Sequence, residues 1–448
     1  MGGLKYKVLL NGFQIIYEKP ESSIPLSSIQ IFCNIGSVYL PKELYGITHF
    51  IEHMCFKKTK NNPNFNNLLQ YADMGAEYNG YSYKRCTVFA VKCEDEYVNK
   101  CIKLLSEQLL NAKFDKAEFK KEENVVIEEK LMTVNDPKNI LSNLHNKLLY
   151  ENTLYQNPVD DISFHKKKYD YNLVLDFYKK NYIPSNMILS ITSNIPFSKI
   201  LDFIKKTDFY KKSIDLHSVS LHDKYLQYLL FPPIIKGIKC KIFKIKDFKS
   251  ILLNLSFQIC NQFDLKEKYI FSLLSYILCN SLTSRLAKIL RQDYGLVYYI
   301  SAITDYNEGG GEFTITTQCN STTFLNKVKP SVLPLIIKEL NKLIKFGITS
   351  SELSTAKHNV KGQILLELEN ISNQTNYNGF TLLYQKPNEI VPYSKLYEIY
   401  YDKITKHQID YCIKKYFNLM RMCITVVGNM VPNESLILEE CMKLKNTL

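Results

Sequence analysis

Three residues that could do chemistry together, His49, Glu52 and His53, stand in the order H-x-x-E-H inside the stretch Gly46 to Met54. On an α-helix, residues four apart share a face, so the two imidazoles can reach one metal ion. Glu52 precedes the second histidine by one residue, which sets a carboxylate beside that ion, where it can take a proton from water. This is half of a candidate hydrolytic zinc site. With His at only 8 of 448 positions the pattern is sparse, though two facing histidines on an amphipathic helix can also be satisfied core or surface residues.

A tetrahedral zinc needs a third protein ligand and keeps its fourth position for water. Glu129 is the candidate, 76 positions beyond His53 in the helical stretch Lys116 to Met132. Glu122 lies seven residues before it, close to two turns, so both carboxylates share one helix face. A surface helix rich in Lys and Glu would carry such a pair without any metal.

These residues need elements to hold them. Lys7 to Lys19 reads as a hairpin around Asn11-Gly12. Ser28 to Gly36 alternates with period two, a strand that feeds the His49 helix through a loop. A second helix is predicted over about 64–72, then strands over Glu77 to Tyr83 and Arg85 to Cys93. Glu94 to Ala112 and Lys116 to Met132 carry helical spacing, with Ile102, Leu105, Leu109 and Leu110 as one apolar stripe. The second half repeats the plan: Ser250 to Cys260 alternates as a strand, and a long helix is predicted from about Leu265 to Gln292. Phe177 to Tyr182, followed by the apolar run Met187 to Thr192, overlays Cys412 to Phe417, followed by Met422 to Val427, at a constant offset of 235 residues. An internal duplication explains that spacing most simply. His217, His222, Pro232 and Pro233 interrupt the periodicity near 213–239, where the junction is expected.

At 448 residues the chain is too long for one ordinary core, and its balance of 46% hydrophobic and 23% charged residues is that of a folded protein. No apolar run reaches the roughly 20 residues of a membrane span; Tyr269 to Leu278 comes nearest and soon meets Asn280 and Ser281. Gly2 is followed by Tyr6 where myristoylation wants Ser or Thr. With structure starting almost at once and no leader visible, the expectation is an unprocessed intracellular protein, cytoplasmic by default. Twelve scattered Cys without a C-x-x-C pair suit a reducing compartment. The net charge of +13 includes Lys166-Lys167-Lys168 and Lys179-Lys180, but the lysines are interleaved with Asn, Ile and Tyr everywhere and form no confined stripe, so nucleic-acid binding is not expected.

The spacing from His49 to Glu129, with Glu122 seven residues before it, resembles the inverted-zincin peptidases of the insulinase and mitochondrial processing peptidase group, family M16. The likeness extends to Asn11-Gly12, Gly36-Ser37, the whole run Gly46 to Met54, and Phe56 with Thr59. It implies that His49, His53 and Glu129 bind one zinc per chain, that Glu52 is the general base, and that Glu122 is a carboxylate orienting a ligand. Asn79-Gly80-Tyr81-Ser82 resembles the family's edge strand, on which an extended peptide is laid. Ser284-Arg285-Leu286 and the run Arg291 to Tyr298 resemble the stretch that brings an Arg and a Tyr to the substrate, with Arg291 on a peptide carbonyl and Tyr298 on the oxyanion. Lys58 departs from the family's usual Gly and Cys55 from its usual Leu. Gly309-Gly310-Gly311 is similar to a glycine-rich loop of the processing peptidase's non-catalytic subunit, but it reads as a turn at a strand start.

The resemblance implies an α+β fold of two homologous domains, each a mostly antiparallel sheet covered by helices, together half a clamshell. The expected boundaries are a zinc-binding domain at 1–215, a linker at 216–238 and a domain carrying the Arg/Tyr pair at 239–448. The implied function is a zinc metalloendopeptidase acting on short or unfolded peptides, closed by pairing with a second chain. Because one chain carries both motifs, a homodimer is expected. An inactive scaffold subunit, a processing peptidase for basic presequences and a basic nucleic-acid-binding protein are the competing readings. No membrane partner is expected.

Overall fold

A computed structural model describes residues 3–41, 44–62, 67–159, 170–213, 232–326 and 328–445. Gly2, Lys166 to Lys168, the start of the predicted 64–72 helix, His217, His222 and most of the expected linker lie outside them. Strands β1 (Lys5–Val8), β2 (Gln14–Glu18), β3 (Leu26–Cys33), β4 (Glu77–Ser82), β5 (Thr87–Glu94) and β6 (Met187–Thr192) form one sheet in the order β1-β2-β6-β3-β5-β4. Strands β7 (Lys239–Lys244), β8 (Ser250–Ile259), β9 (Val297–Tyr306), β10 (Gly311–Asn320) and β11 (Cys423–Gly428) form a second, in the order β7-β11-β8-β10-β9. The helices that matter to the site and to the covering of the sheets are α1 (Ile47–Cys55), α2 (Val98–Leu110), α3 (Lys116–Val134), α4 (Pro137–Leu149), α5 (Tyr171–Asn181), α6 (Leu265–Leu278), α7 (Ile371–Tyr384) and α8 (Lys406–Tyr416).

Apart from β1, the two sheets have one plan. Among the described strands each sheet has a single parallel pair, β2 with β6 and β7 with β11, and is otherwise antiparallel. The helix-then-strand units seen in the sequence repeat are α5 with β6 and α8 with β11.

The chain divides into two compact units that are not consecutive pieces of sequence: residues 1–132, 158–228 and 365–394 form one, and 133–157, 229–364 and 395–448 the other. Thus α7, from late in the chain, lies on the first sheet, and α4, from early in it, lies on the second. Ser190 Oγ donates to the Thr375 carbonyl at 2.7 Å and Thr375 Oγ1 to Thr192 Oγ1 at 2.8 Å. Asn378 Nδ2 donates to the buried Glu18 carboxylate at 2.7 Å. Gly379 lets α7 approach the sheet, since a Cβ there would lie 2.0 Å from the Phe32 ring. On the second sheet, Leu141 of α4 packs with Leu252 and Val427, while His145 Nε2 meets Glu312 Oε2 at 2.5 Å.

The long helix expected over 265–292 is two pieces. It stops at Leu278, and a short helical stretch resumes at Arg285. The cause is Asn280, whose amide accepts from the Ala302 N–H at 2.7 Å and donates to the Ala302 carbonyl at 2.9 Å. Docking that side chain on β9 draws the backbone out of the helical path. Gly309 and Gly310 lie in the β9–β10 connection, where both N–H groups donate to Asn307 Oδ1. Among the described residues no helix is long and apolar enough to cross a membrane.

Candidate metal centre

Helix α1 starts at Gly46, whose φ of 90° is in the left-handed region. Ile47, Phe50, Ile51 and Met54 recur at helical spacing and are fully buried. That burial turns His49 and His53 to the opposite flank. There α3 runs past, presenting Phe119, Glu122, Val126 and Glu129 at three- and four-residue steps. Phe119 packs edge-on to Phe50 at 4.7 Å between centroids. The connection after α1 fixes the distance between the helices: Thr59 bridges to Ala112, and the Lys60 and Lys113 amides donate to Asn111 and Lys58 carbonyls.

The result is a triangle of donor atoms. His49 Nε2 and His53 Nε2 are 3.1 Å apart, and Glu129 Oε2 lies 3.7 Å from the first and 3.3 Å from the second. A tetrahedron with metal–ligand bonds of about 2.0–2.2 Å has edges of about 3.4 Å, so two imidazoles and a carboxylate sit at the spacing a zinc ion would demand. Among the described residues this is the one group of three or more such ligands so arranged. Burial pushes the His49 imidazole down, outweighing the pull of Glu52 and Glu129 the other way, so His49 is held neutral, the form that binds metal.

Glu122 is buried behind this triangle. Its Oε1 lies 2.8 Å from His53 Nδ1 and its Oε2 accepts from Lys57 Nζ at 2.7 Å. Burial alone would raise its pKa, but the hydrogen bonds from His53 and Lys57 prevail and hold the carboxyl below its usual range. An ionised Glu122 fixes the proton on His53 Nδ1 and leaves Nε2 as a lone pair facing the triangle.

Glu52 is 7% exposed and lies between α1 and the sheet's outer strand β4. Its Oε2 accepts from Ser82 Oγ at 2.6 Å, and a Cβ on Gly80 would lie 2.3 Å from its Oε1. Burial raises the Glu52 pKa, with the Ser82 bond and the two histidines opposing. A carboxylate with an elevated pKa, beside the neutral His49 imidazole and against a strand edge, is suited to accept and return a proton.

The chain's 16–161 match the family model described as Insulinase (Peptidase family M16), and 168–360 match the one described as Peptidase M16 inactive domain. This chain belongs to peptidase family M16. The M16 chain is 27% identical over 376 residues to the uncharacterized zinc protease YmxG of Bacillus subtilis, covering 82% of this chain and 85% of the relative. It is also 24% identical over 196 residues to cytochrome b-c1 complex subunit 1 of Bos taurus, covering 44% of this chain and 40% of the relative. Its fold matches the crystal structure of a protease from Helicobacter pylori with a TM-score of 0.84 at 20% identity, over 95% of this chain and 99% of the other.

In the M16 chain, Asn79, Gly80 and Tyr81 lie in β4, at one end of the first sheet's strand order. Arg291 and Tyr298 are both exposed on the second unit, Tyr298 at 83%, with the guanidinium 5.5 Å from the phenol ring centre. Arg285, in the same resembling stretch, is occupied otherwise. It binds Glu352 through two hydrogen bonds of 2.5 and 2.8 Å and the Gly347 carbonyl at 2.9 Å, joining two helices. Cys55 is fully buried, and burial together with Glu52 pushes its thiol well up, so it is not a reactive group in the folded chain. Lys58 Nζ stands 3.8 Å from Glu118. Sequence reasoning gave no role to Lys57, and placed Ser82 in the edge strand without pairing it to Glu52. Ser82 shares a strand face with Gly80 by simple alternation, a signal that could have paired it with Glu52; Lys57 leaves no comparable trace.

Proposed function

We propose that this M16 chain is a zinc-dependent endopeptidase acting on short or unfolded peptides. The reading is carried by the His49, His53 and Glu129 triangle, with edges of 3.1, 3.3 and 3.7 Å, beside the buried Glu52. A zinc ion, one per chain, held by these three residues would polarise the scissile carbonyl and make water acidic enough to attack at neutral pH.

Glu52 takes the proton from the attacking water and passes it to the leaving amine. Ser82 keeps the carboxylate turned toward β4, and Glu122 with Lys57 keeps His53 in one tautomer. An extended peptide pairs with the backbone of Asn79, Gly80 and Tyr81, which brings its carbonyl groups to Glu52. Arg291 holds a substrate carbonyl and Tyr298 donates to the developing oxyanion, both supplied by a second copy of the chain.

The test is metal analysis joined to a peptide-library cleavage assay on the native chain and on Glu52→Gln. Zinc near one equivalent, chelator-sensitive cleavage, and a loss of about 10²–10⁴-fold in the variant with zinc retained are expected. Absence of zinc, or unchanged cleavage by Glu52→Gln, would overturn the reading. Mixing Glu52→Gln with Tyr298→Phe then tests the second copy's part, since activity returns only if one protomer completes the other's site. The second reading, an inactive subunit of a larger assembly, draws on the likeness to a protein named as a cytochrome b-c1 complex subunit. A chain without zinc or cleavage favours it.

A further inference from the structure

Along β4, Tyr78, Gly80 and Ser82 face α1: Tyr78 lies 6.3 Å from the Phe56 ring, and Gly80 and Ser82 lie against Glu52. Glu77, Asn79 and Tyr81 face the other side, toward α7. A peptide paired to this strand alternates in the same way. If one of its side chains points toward Glu52, the residues before and after it point across the sheet edge to the opposite face.

That face has a cleft of about 470 Å³ lined by Asn79 and Tyr81 of β4, Gln30 of β3, Ala90 of β5, and Asn373 and Asn376 of α7. Its origin is a cross-strand row, Gln30–Ala90–Asn79, in which the middle side chain is a single methyl. One row along, Phe32 and Val88 join the apolar cluster beneath α7 and close that end. One row the other way, Lys92 Nζ binds Glu77 at 3.1 Å, so the two charges at the open end satisfy each other. Gln30 is 5% exposed; its Nε2 reaches the Ser372 carbonyl at 3.4 Å while its Oε1 has no partner among the described residues.

We propose that this cleft is a specificity pocket for the alternate side chains of a peptide laid on β4, and that it selects neutral hydrogen-bonding residues such as Gln and Asn. The inference rests on the reading of β4 as the peptide-pairing edge. A charged side chain entering the cleft loses water and, among the described lining residues, meets only the Lys92–Glu77 pair, whose charges already satisfy each other. An aliphatic one covers the amides of Gln30, Asn79 and Asn376 without bonding to them. A carboxamide can donate and accept among those amides while its methylenes lie along the Tyr81 ring.

The test is a positional peptide library cleaved by the native chain and by Asn376→Asp, an exposed position whose exchange does not threaten folding. With the native chain, Gln and Asn should exceed Asp, Glu, Lys and Arg by about fivefold in kcat/KM at positions two residues apart. Asn376→Asp should shift one of those positions toward Lys and Arg by about fivefold, other positions and zinc content staying as they were. Cleavage with a flat or unmoved profile at every alternate position overturns this inference and leaves the peptidase reading intact. No cleavage by the native chain removes both.

Discussion

Gly80→Ala adds one methyl group where the candidate base and the candidate peptide edge meet. The ideal Cβ would lie 2.3 Å from Glu52 Oε1, 2.8 Å from its carboxyl carbon and 2.8 Å from the Phe56 ring. Non-bonded carbons settle at about 3.5–4.0 Å, so something must retreat by about 1 Å. The Phe56 ring is backed by Phe89 at 5.5 Å. Glu52 therefore yields, and its retreat breaks the 2.6 Å bond from Ser82 and draws the carboxylate away from the strand edge. A misplacement of that size costs about 10²-fold in rate, while overpacking costs about 1–3 kcal/mol of stability. His49, His53 and Glu129 are untouched, so zinc affinity by chelator competition should stay within about twofold and kcat alone should collapse. Gly362→Ala is the control, since beyond its own helix backbone and chain neighbours no atom of the described residues lies within 4 Å of the added Cβ. Full peptidase activity in Gly80→Ala would refute the placement of Glu52 against β4. Equal losses of zinc affinity and rate would mean that α1 as a whole had moved.

Glu122→Gln removes the charge that binds His53 and Lys57, and chelator competition should show zinc affinity falling about 10–100-fold; unchanged affinity would remove Glu122 from the site. Arg285→Ala strands Glu352 and leaves the buried Glu339 to Lys342, so denaturant titration should show a loss of about 3–5 kcal/mol in the second unit with zinc content unaltered. Burial pushes the Lys268 ammonium down from 10.5 to about 8. Because the folded pKa is below the unfolded one, the unfolded chain binds more protons between those values and stability rises with pH across that window. The full cost, at most about 3 kcal/mol, is therefore present at pH 7. Lys268→Met forfeits the bond to Gln262 at 3.0 Å and the contact with the Tyr306 ring, leaving a net gain of about 1–2 kcal/mol. Denaturant midpoints of variant and native chain should differ at pH 7 and converge toward pH 10; a constant difference would disprove the linkage.

What could be read without coordinates follows from how far apart the partners lie in the chain. The two imidazoles belong to one helix turn, so period alone sets them side by side. Glu122 and Glu129 belong to one helix as well, and their common face is equally legible. Which of them meets the histidine lone pairs is not, because that depends on the offset between α1 and α3. The offset is set by the Thr59–Ala112 bridge and the Lys57–Glu122 pair. Ser82 approaches Glu52 only because β4 ends the sheet beside α1, a matter of strand order that local pattern does not carry. The break at Cys279 is decided by Ala302 on another strand. The exchange of α4 and α7 between units is invisible for the same reason: an amphipathic helix announces that it has an apolar face, not which sheet that face covers. The apolar stripe that sinks Ile47, Phe50, Ile51 and Met54 therefore does more than stabilise α1. By spending every inward position on the core, it leaves His49 and His53 only the flank where α3 supplies a carboxylate, and a polar exchange at Phe50 would disorder the triangle without touching any of its three corners.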